Sequence, residues 1–226
     1  MPVPRLLELF AGTQSIAKAF RAKGWQTISL DISDKMAMPD IVSDVLLWDH
    51  TAFPPGYFDV IWASPVCTHY SIARTTAKTP RDLEFADSLV QRVLDLIAYF
   101  KPRIWAFENP YSGLLKSRPL VQGLPVKRLC YCRYGFQYRK ETGIWTNLGD
   151  AWIPRPLCTK KQPCEHVVNG RHPKKAQRAP TRVKGILMKG DRCTLAQLYS
   201  IPPDRCKELC DACDAVIRAT SSSNAP

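Results

Sequence analysis

The sequence contains no apolar run near the roughly 18–20 residues needed to cross a bilayer. Its opening residues also lack the long uninterrupted apolar stretch of a secretion signal, so a soluble, intracellular protein with no membrane partner is expected. Cysteine is sparse and odd in number, nine in 226 residues, which excludes a dense disulfide scaffold and leaves thiols as nucleophiles, metal ligands or core fillers. There is no internal repeat. With 45% apolar and 23% charged residues the chain is not disordered as a whole and can bury one sizeable core.

Acid is scarce in one place. Residues 111–190 hold three acids against seventeen bases, a net charge of +14, whereas residues 1–110 and 191–226 each net −1 within a total of +12. A merely solubilising surface scatters its charge; concentration in one segment points to a polyanion partner, nucleic acid foremost.

Residues 5–10 form a short apolar run that ends at Ala11-Gly12, and apolar residues at 16, 17, 19 and 20 then follow helical spacing. Further strands are expected over 25–30, stopping at Asp31; over 40–45, containing Asp44; and over 57–63, running into Ser64-Pro65. Residues 82–100 make the clearest helix, with Leu83, Ala86, Leu89, Val90, Val93, Leu94, Ile97 and Ala98 on one broad face and Pro102 beyond its end. A fifth strand over 103–107 is broken by Glu108-Asn109-Pro110. Alternating strands and helices imply an α/β fold with a mostly parallel, doubly wound sheet, whose ligands bind outside the carboxyl ends of its strands. Asp31, Asp44, Cys67 and Glu108 all fall at or just past such ends. The chain thus divides into a core over 1–150, a basic insertion over 151–190, a helical segment over 191–219 that completes the core, and a disordered tail over 220–226.

The first turn, Phe10-Ala11-Gly12-Thr13-Gln14-Ser15, sets a glycine and a helix N-terminus against a nucleotide-like ligand. Asp31 is placed to accept hydrogen bonds from ribose hydroxyls; Asp44 either accepts from an adenine amino group or caps a helix. Cys67, on the loop after the fourth strand, is a candidate nucleophile, and Glu108 at the end of the neighbouring strand would put a carboxyl group beside its sulfur.

These residues together resemble the cytosine-C5 DNA methyltransferases, in particular the short phage and large-virus type, over about residues 5–147 and more weakly to about 218. Leu9-Phe10-Ala11-Gly12-Thr13 is similar to the family's Phe-x-Gly S-adenosylmethionine loop, and Ser64-Pro65-Val66-Cys67 to its Ser-Pro-Pro-Cys nucleophile loop. Glu108-Asn109-Pro110 resembles the Glu-Asn-Val motif, and Gln137-Tyr138-Arg139 the Gln-x-Arg motif; Arg139-Lys140 with residues 142–147 resembles a run of the viral members. The sequence departs from the pattern at Gln14, where another glycine is usual, and at Val66, where a proline is usual.

The resemblance implies a class I S-adenosylmethionine-dependent methyltransferase of Rossmann-like fold that methylates C5 of cytosine in DNA. Cys67, Glu108 and Arg139 are then catalytic: the thiolate adds to C6, Glu108 holds N3, and Arg139 neutralises charge near O2. Phe10, Ala11, Gly12, Thr13, Asp31, Ile32, Asp44, Val45, Ser64 and Pro65 are the implied cofactor contacts. A duplex partner with a flipped cytosine, a monomeric enzyme and, for a viral protein, the host nucleus or cytoplasm follow as expectations. An RNA or free-nucleotide substrate, or a silent nucleic-acid-binding module, are the alternatives.

Cys158, Cys164, His166 and His172 crowd a polar, basic loop that needs a staple, which points to structural zinc. Resemblance to the viral sequences favours Cys132, Cys158, Cys164 and His172 as ligands, with His166 the substitute. Lys140, Arg171, Lys174, Lys175, Arg178, Arg182 and Lys184 are then expected on a nucleic-acid face. Cys206, Cys210 and Cys213 recur at one helical face and read as packed thiols, and Trp48, Trp62 and Trp105 as core. His69 either assists deprotonation of Cys67 or contacts substrate.

Overall fold

The computed structural model describes residues 2–72, 74, 77–176, 182–183, 186–187 and 193–222, with side chains left out at 182–183, 186–187 and 220–222. Seven strands form one sheet: β1 (Arg5–Leu9), β2 (Gln26–Asp31), β3 (Ile41–Val42), β4 (Val60–Ala63), β5 (Ile104–Pro110), β6 (Val126–Cys130) and β7 (Glu141–Thr146). Their order is β3-β2-β1-β4-β5-β7-β6. The first five run parallel, and β7 enters antiparallel between β5 and β6. A separate short hairpin pairs β8 (Arg182–Val183) with β9 (Ile186–Leu187).

The helices cover both faces, as a doubly wound sheet requires. On one side α1 (Ser15–Ala22) packs with α4 (Pro203–Ser222) over Leu6, Val60, Trp62, Ile104 and Ile144. On the other α2 (Leu83–Phe100) covers Leu7, Leu9, Ile61, Ala63 and Phe107. Asp82 caps α2 by accepting the Phe85 N–H at 2.9 Å, and the helix ends at Lys101 in the left-handed region. A short α3 (Leu195–Tyr199) carries a Thr194/Gln197 capping box. No helix among the described residues is long and apolar enough to cross a membrane.

The mostly parallel sheet agrees with the expectation, and three boundaries move. The third strand shrinks to Ile41–Val42 because its only partner is the tip of β2. The fifth is not broken at Glu108: it continues to Pro110 because β7 pairs with Ala106–Pro110 from the antiparallel side. The last helix begins at Pro203 and runs to Ser222, into the segment expected as a tail; residues 223–226 lie outside the described residues. Cys206, Cys210 and Cys213 are buried against α1, and Trp48 and Trp62 are core, while Trp105 is half-buried.

Candidate active site and metal-ligating cluster

Parallel strands aim their carboxyl ends at one rim. Beyond β1 the backbone takes three left-handed turns, at Phe10 (φ 55°), Gly12 (φ 49°) and Gln14 (φ 55°), before α1 begins. Gly12 suits that geometry, and open space faces the position of its missing Cβ. Gln14, where the family usually has glycine, holds the same strained conformation; its side chain donates to the Met38 carbonyl and accepts from Arg21 at 2.9 Å. That substitution ties the turn to the β2–β3 loop.

The Asp31 carboxylate accepts from the Gly12 N–H at 2.8 Å and the Ser33 N–H at 2.9 Å. Asp44 accepts the Leu46 N–H at 2.9 Å, a turn-capping bond that engages only one of its oxygens. Ile32 is 69% exposed and Val45 is buried. Ser64 donates its N–H to the Leu9 carbonyl, which joins the fourth-strand loop to the first. Below the rim, buried Glu8 accepts the Ala17 N–H at 2.8 Å and the Ile16 N–H at 3.3 Å, in the first turn of α1. Burial lifts its carboxyl from the ordinary 4.5 to about 7, against the pull of those two amides.

Cys67 stands on the same fourth-strand loop as Ser64, partly exposed, and its carbonyl accepts from the Tyr70 and Ser71 N–H groups. The register Ala63↔Phe107 brings Ser64-Pro65 level with Glu108-Asn109. The fully buried Asn109 amide donates to the Pro65 carbonyl at 3.0 Å, which clamps the thiol loop to β5. Gly113 lies between the same two loops: a Cβ there would meet the Pro110 carbonyl at 3.0 Å and the Tyr70 carbonyl at 3.1 Å. Tyr70 itself donates to Asp87 at 2.7 Å, and Arg118 holds that carboxylate from the other side. His69 accepts the Asp82 N–H at 2.8 Å through Nδ1, so the ring is anchored to the start of α2.

Glu108 is 9% exposed; its Oε1 lies 3.6 Å from the Lys140 ammonium and its Oε2 has no hydrogen-bond partner. Burial pushes the Cys67 thiol up, Lys140 draws it back down, and Glu108 adds to the rise. Lys140 was expected on a nucleic-acid face, but its side chain turns inward, over the Tyr131 ring at 4.7 Å. Arg139 points the other way, to Glu141 at 3.0 Å and to Cys130, with 48% of its side chain exposed. Alternation at the start of a strand separates the two neighbours.

A second constellation lies beyond β6. One ligand atom from each of Cys132, Cys158, Cys164 and His172 lies within 4.8 Å of every other. His172 Nε2 is 3.3 Å from the Cys164 sulfur and 3.8 Å from that of Cys158. His166 is outside the group, with Nε2 3.4 Å from Glu165. Arg171 and Lys175 are exposed and Lys174 half-buried beside this cluster; Arg178, Lys184 and the side chain of Arg182 lie outside the described residues. Sequence reasoning missed Glu8, the Asn109 clamp and Gly113, whose roles depend on neighbours far along the chain.

No family model matches the chain. It is 32% identical over 223 residues to a protein of Frog virus 3 (isolate Goorha) named "Probable DNA (cytosine-5)-methyltransferase", covering 92% of this chain and all of that relative. A crystal structure described as a "putative DNA modification methyltransferase encoded within prophage" (E. coli) is 13% identical, with a TM-score of 0.48, 74% of this chain and 56% of that one covered. By its likeness to the viral relative the chain is a methyltransferase. The chain belongs to the DNA (cytosine-5)-methyltransferase family.

Proposed function

We propose that the protein transfers a methyl group from S-adenosylmethionine to C5 of cytosine in duplex DNA. The observation that carries this reading is Glu108, whose buried Oε2 has no partner, on the strand end that register and the Asn109–Pro65 bond hold level with the Cys67 loop. A buried, unpartnered carboxyl oxygen is costly unless a ligand completes it.

The residues of the β1–β4 rim fit the cofactor. The positive-φ turn over Phe10–Gln14 opens a cradle at the α1 N-terminus, Asp31 retains lone pairs for hydroxyl donors, and exposed Ile32 offers an apolar flank, whereas the Val45 side chain is buried in the core. When bound, S-adenosylmethionine supplies an electrophilic methyl group. The Cys67 thiolate forms a bond to C6 of the flipped cytosine, and the C5–C6 π pair moves into the ring as Glu108 holds N3. With the cofactor bound, C5 would take the methyl group and S-adenosylhomocysteine would be left; loss of the C5 proton to water and of the Cys67 sulfur as thiolate would then restore the aromatic ring. The Asn109–Pro65 bond holds the thiol loop at the level of Glu108 throughout.

The Cys132, Cys158, Cys164 and His172 set fits a closed, structural zinc site: three thiols and one imidazole converge, and the cysteines are buried. Zinc there would cross-link β6 to the basic loop that follows, where Arg171, Lys174 and Lys175 reach phosphates, along with Arg178, Arg182 and Lys184. The enzyme acts as a monomer. Incubation with S-adenosylmethionine and unmodified duplex DNA, then nucleoside mass spectrometry, is expected to yield 5-methyldeoxycytidine. A product found only on RNA or dCMP moves the substrate, and none on any of them leaves a binding module.

A further inference from the structure

Arg139 and Lys140 are adjacent in sequence, yet they occupy opposite sides of the strand they introduce. Arg139 shares the outer side with Arg128, and both guanidinium groups bind Glu141, at 3.0 Å and 2.5 Å. Lys140 faces inward: only 19% of its side chain is exposed, against 48% for Arg139. Its Nζ lies 3.6 Å from Glu108 and 4.7 Å from the centroid of Tyr131, a ring that is fully buried and whose hydroxyl has no partner.

This is not a salt bridge closed on itself. At 3.6 Å the ammonium and carboxylate are beyond a normal hydrogen bond, and the second Glu108 oxygen is unpartnered. Two adjacent groups are therefore left with unused hydrogen-bonding capacity toward a third. The N3–O2 edge of cytosine presents two adjacent acceptors, which the ammonium and, when it carries a proton, the Glu108 carboxyl group can meet together. Burial opposes the Lys140 charge, but Glu108, Tyr131, Cys67 and Tyr138 around it hold the ammonium above its ordinary value, so it stays charged at every working pH.

We propose that Lys140, and not Arg139, is the cation of the reaction centre: held between Glu108 and Tyr131, it stabilises the Cys67 thiolate and the charge that forms toward cytosine O2 when sulfur adds to C6. This rests on the methyl-transfer reading above and assigns the cation that reading needs. The S–C6 bond forms as the π pair moves into the ring, and the ammonium balances that charge without giving up its proton.

The thiolate part is measurable on the full chain without DNA or cofactor, by iodoacetamide alkylation of Cys67 across pH 6–10, read by peptide mass spectrometry. The groups that bear on Cys67 are Lys140, which lowers its thiol, and Glu108, which raises it. Lys140→Met keeps the packing on Tyr131 and is expected to slow alkylation at pH 7.5 about tenfold, as a shift of one pH unit does. Lys140→Arg restores most of the rate. Lys140→Gln replaces the Met variant if circular dichroism shows that the latter does not fold. On duplex DNA, Lys140→Met should lower kcat far more than it raises KM. An unchanged alkylation profile in Lys140→Met, or the tenfold loss appearing in Arg139→Ala instead, overturns the assignment. The alkylation shift in a native protein that methylates no DNA would support Lys140 beside the nucleophile and overturn the substrate reading alone.

Discussion

The strand-end rim around Cys67 and Glu108 and the cysteine cluster use similar side chains in opposite states. At the rim, a thiol and a carboxyl group converge on a space with polar atoms left over: Glu108 Oε2 and Asn109 Oδ1 have no partner. In the cluster, three thiols and an imidazole face one another within 4.8 Å. The rim sits at the ends of strands already held by parallel pairing and by two helical layers, so it can keep groups unsatisfied for a ligand. The cluster sits where regular pairing stops, among polar loops with a small apolar set around Cys130, Leu157 and Val167. One region has rigidity to spare, and the other has to make its own.

The largest test separates the two regions by exchanging one sulfur in each. Cys67→Ser is expected to abolish methyl transfer to duplex DNA, measured with radiolabelled cofactor, while the metal content and the thermal midpoint stay native. Cys158→Ser should do the reverse in kind: zinc, measured by elemental analysis, falls from one per chain to none. Loss of a structural metal costs several kcal/mol, and for a chain of this size lowers the thermal midpoint by roughly 10 °C. If Cys158→Ser left both metal content and midpoint unchanged, the cluster would be a set of packed thiols.

Glu8 tests whether the rim's supports carry strain of their own. Its folded pKa of about 7 stands above the ordinary 4.5, so the folded state binds the extra proton between those values. Stability therefore falls as pH rises from about 4.5 through 7 and levels off above, by about 3 kcal/mol. Urea midpoints at pH 5 and pH 8 should show this decline, and Glu8→Gln should remove it. The smallest effect concerns spacing. Gly113→Ala must push the Pro110 and Tyr70 carbonyls apart, so it is expected to lower the transfer rate about tenfold through misplacement of Cys67 against Glu108. An unaltered rate with normal folding would mean that the two loops tolerate the shift.

Much of the rim was legible in the chain. Asp31, Ser64, Cys67 and Glu108 each follow an apolar run that can only be a buried strand, and a parallel sheet sends all such ends to one side. The four residues of the Cys/His cluster were also readable as candidate ligands, because soft ligands in a polar loop have few other uses, although the resemblance to viral sequences was needed to bring in Cys132 and to prefer His172 over His166. Other features were not readable. The continuation of β5 through Glu108-Asn109-Pro110 depends on β7, more than thirty residues away, and Pro110 looks like a strand breaker until an antiparallel neighbour leaves its missing N–H unneeded.

The sequence by itself determined the alternation of strand and helix, the concentration of positive charge between residues 111 and 190, and the chemical types available at each strand end. Those follow from local periodicity and composition. Only the tertiary structure decided which way each side chain faces where two elements meet: that Lys140 joins Glu108 while Arg139 turns to Glu141, that Asn109 clamps Pro65, and that Glu8 is lifted by burial. Strand alternation, register and desolvation are properties of pairs of segments, and a single segment does not contain its partner.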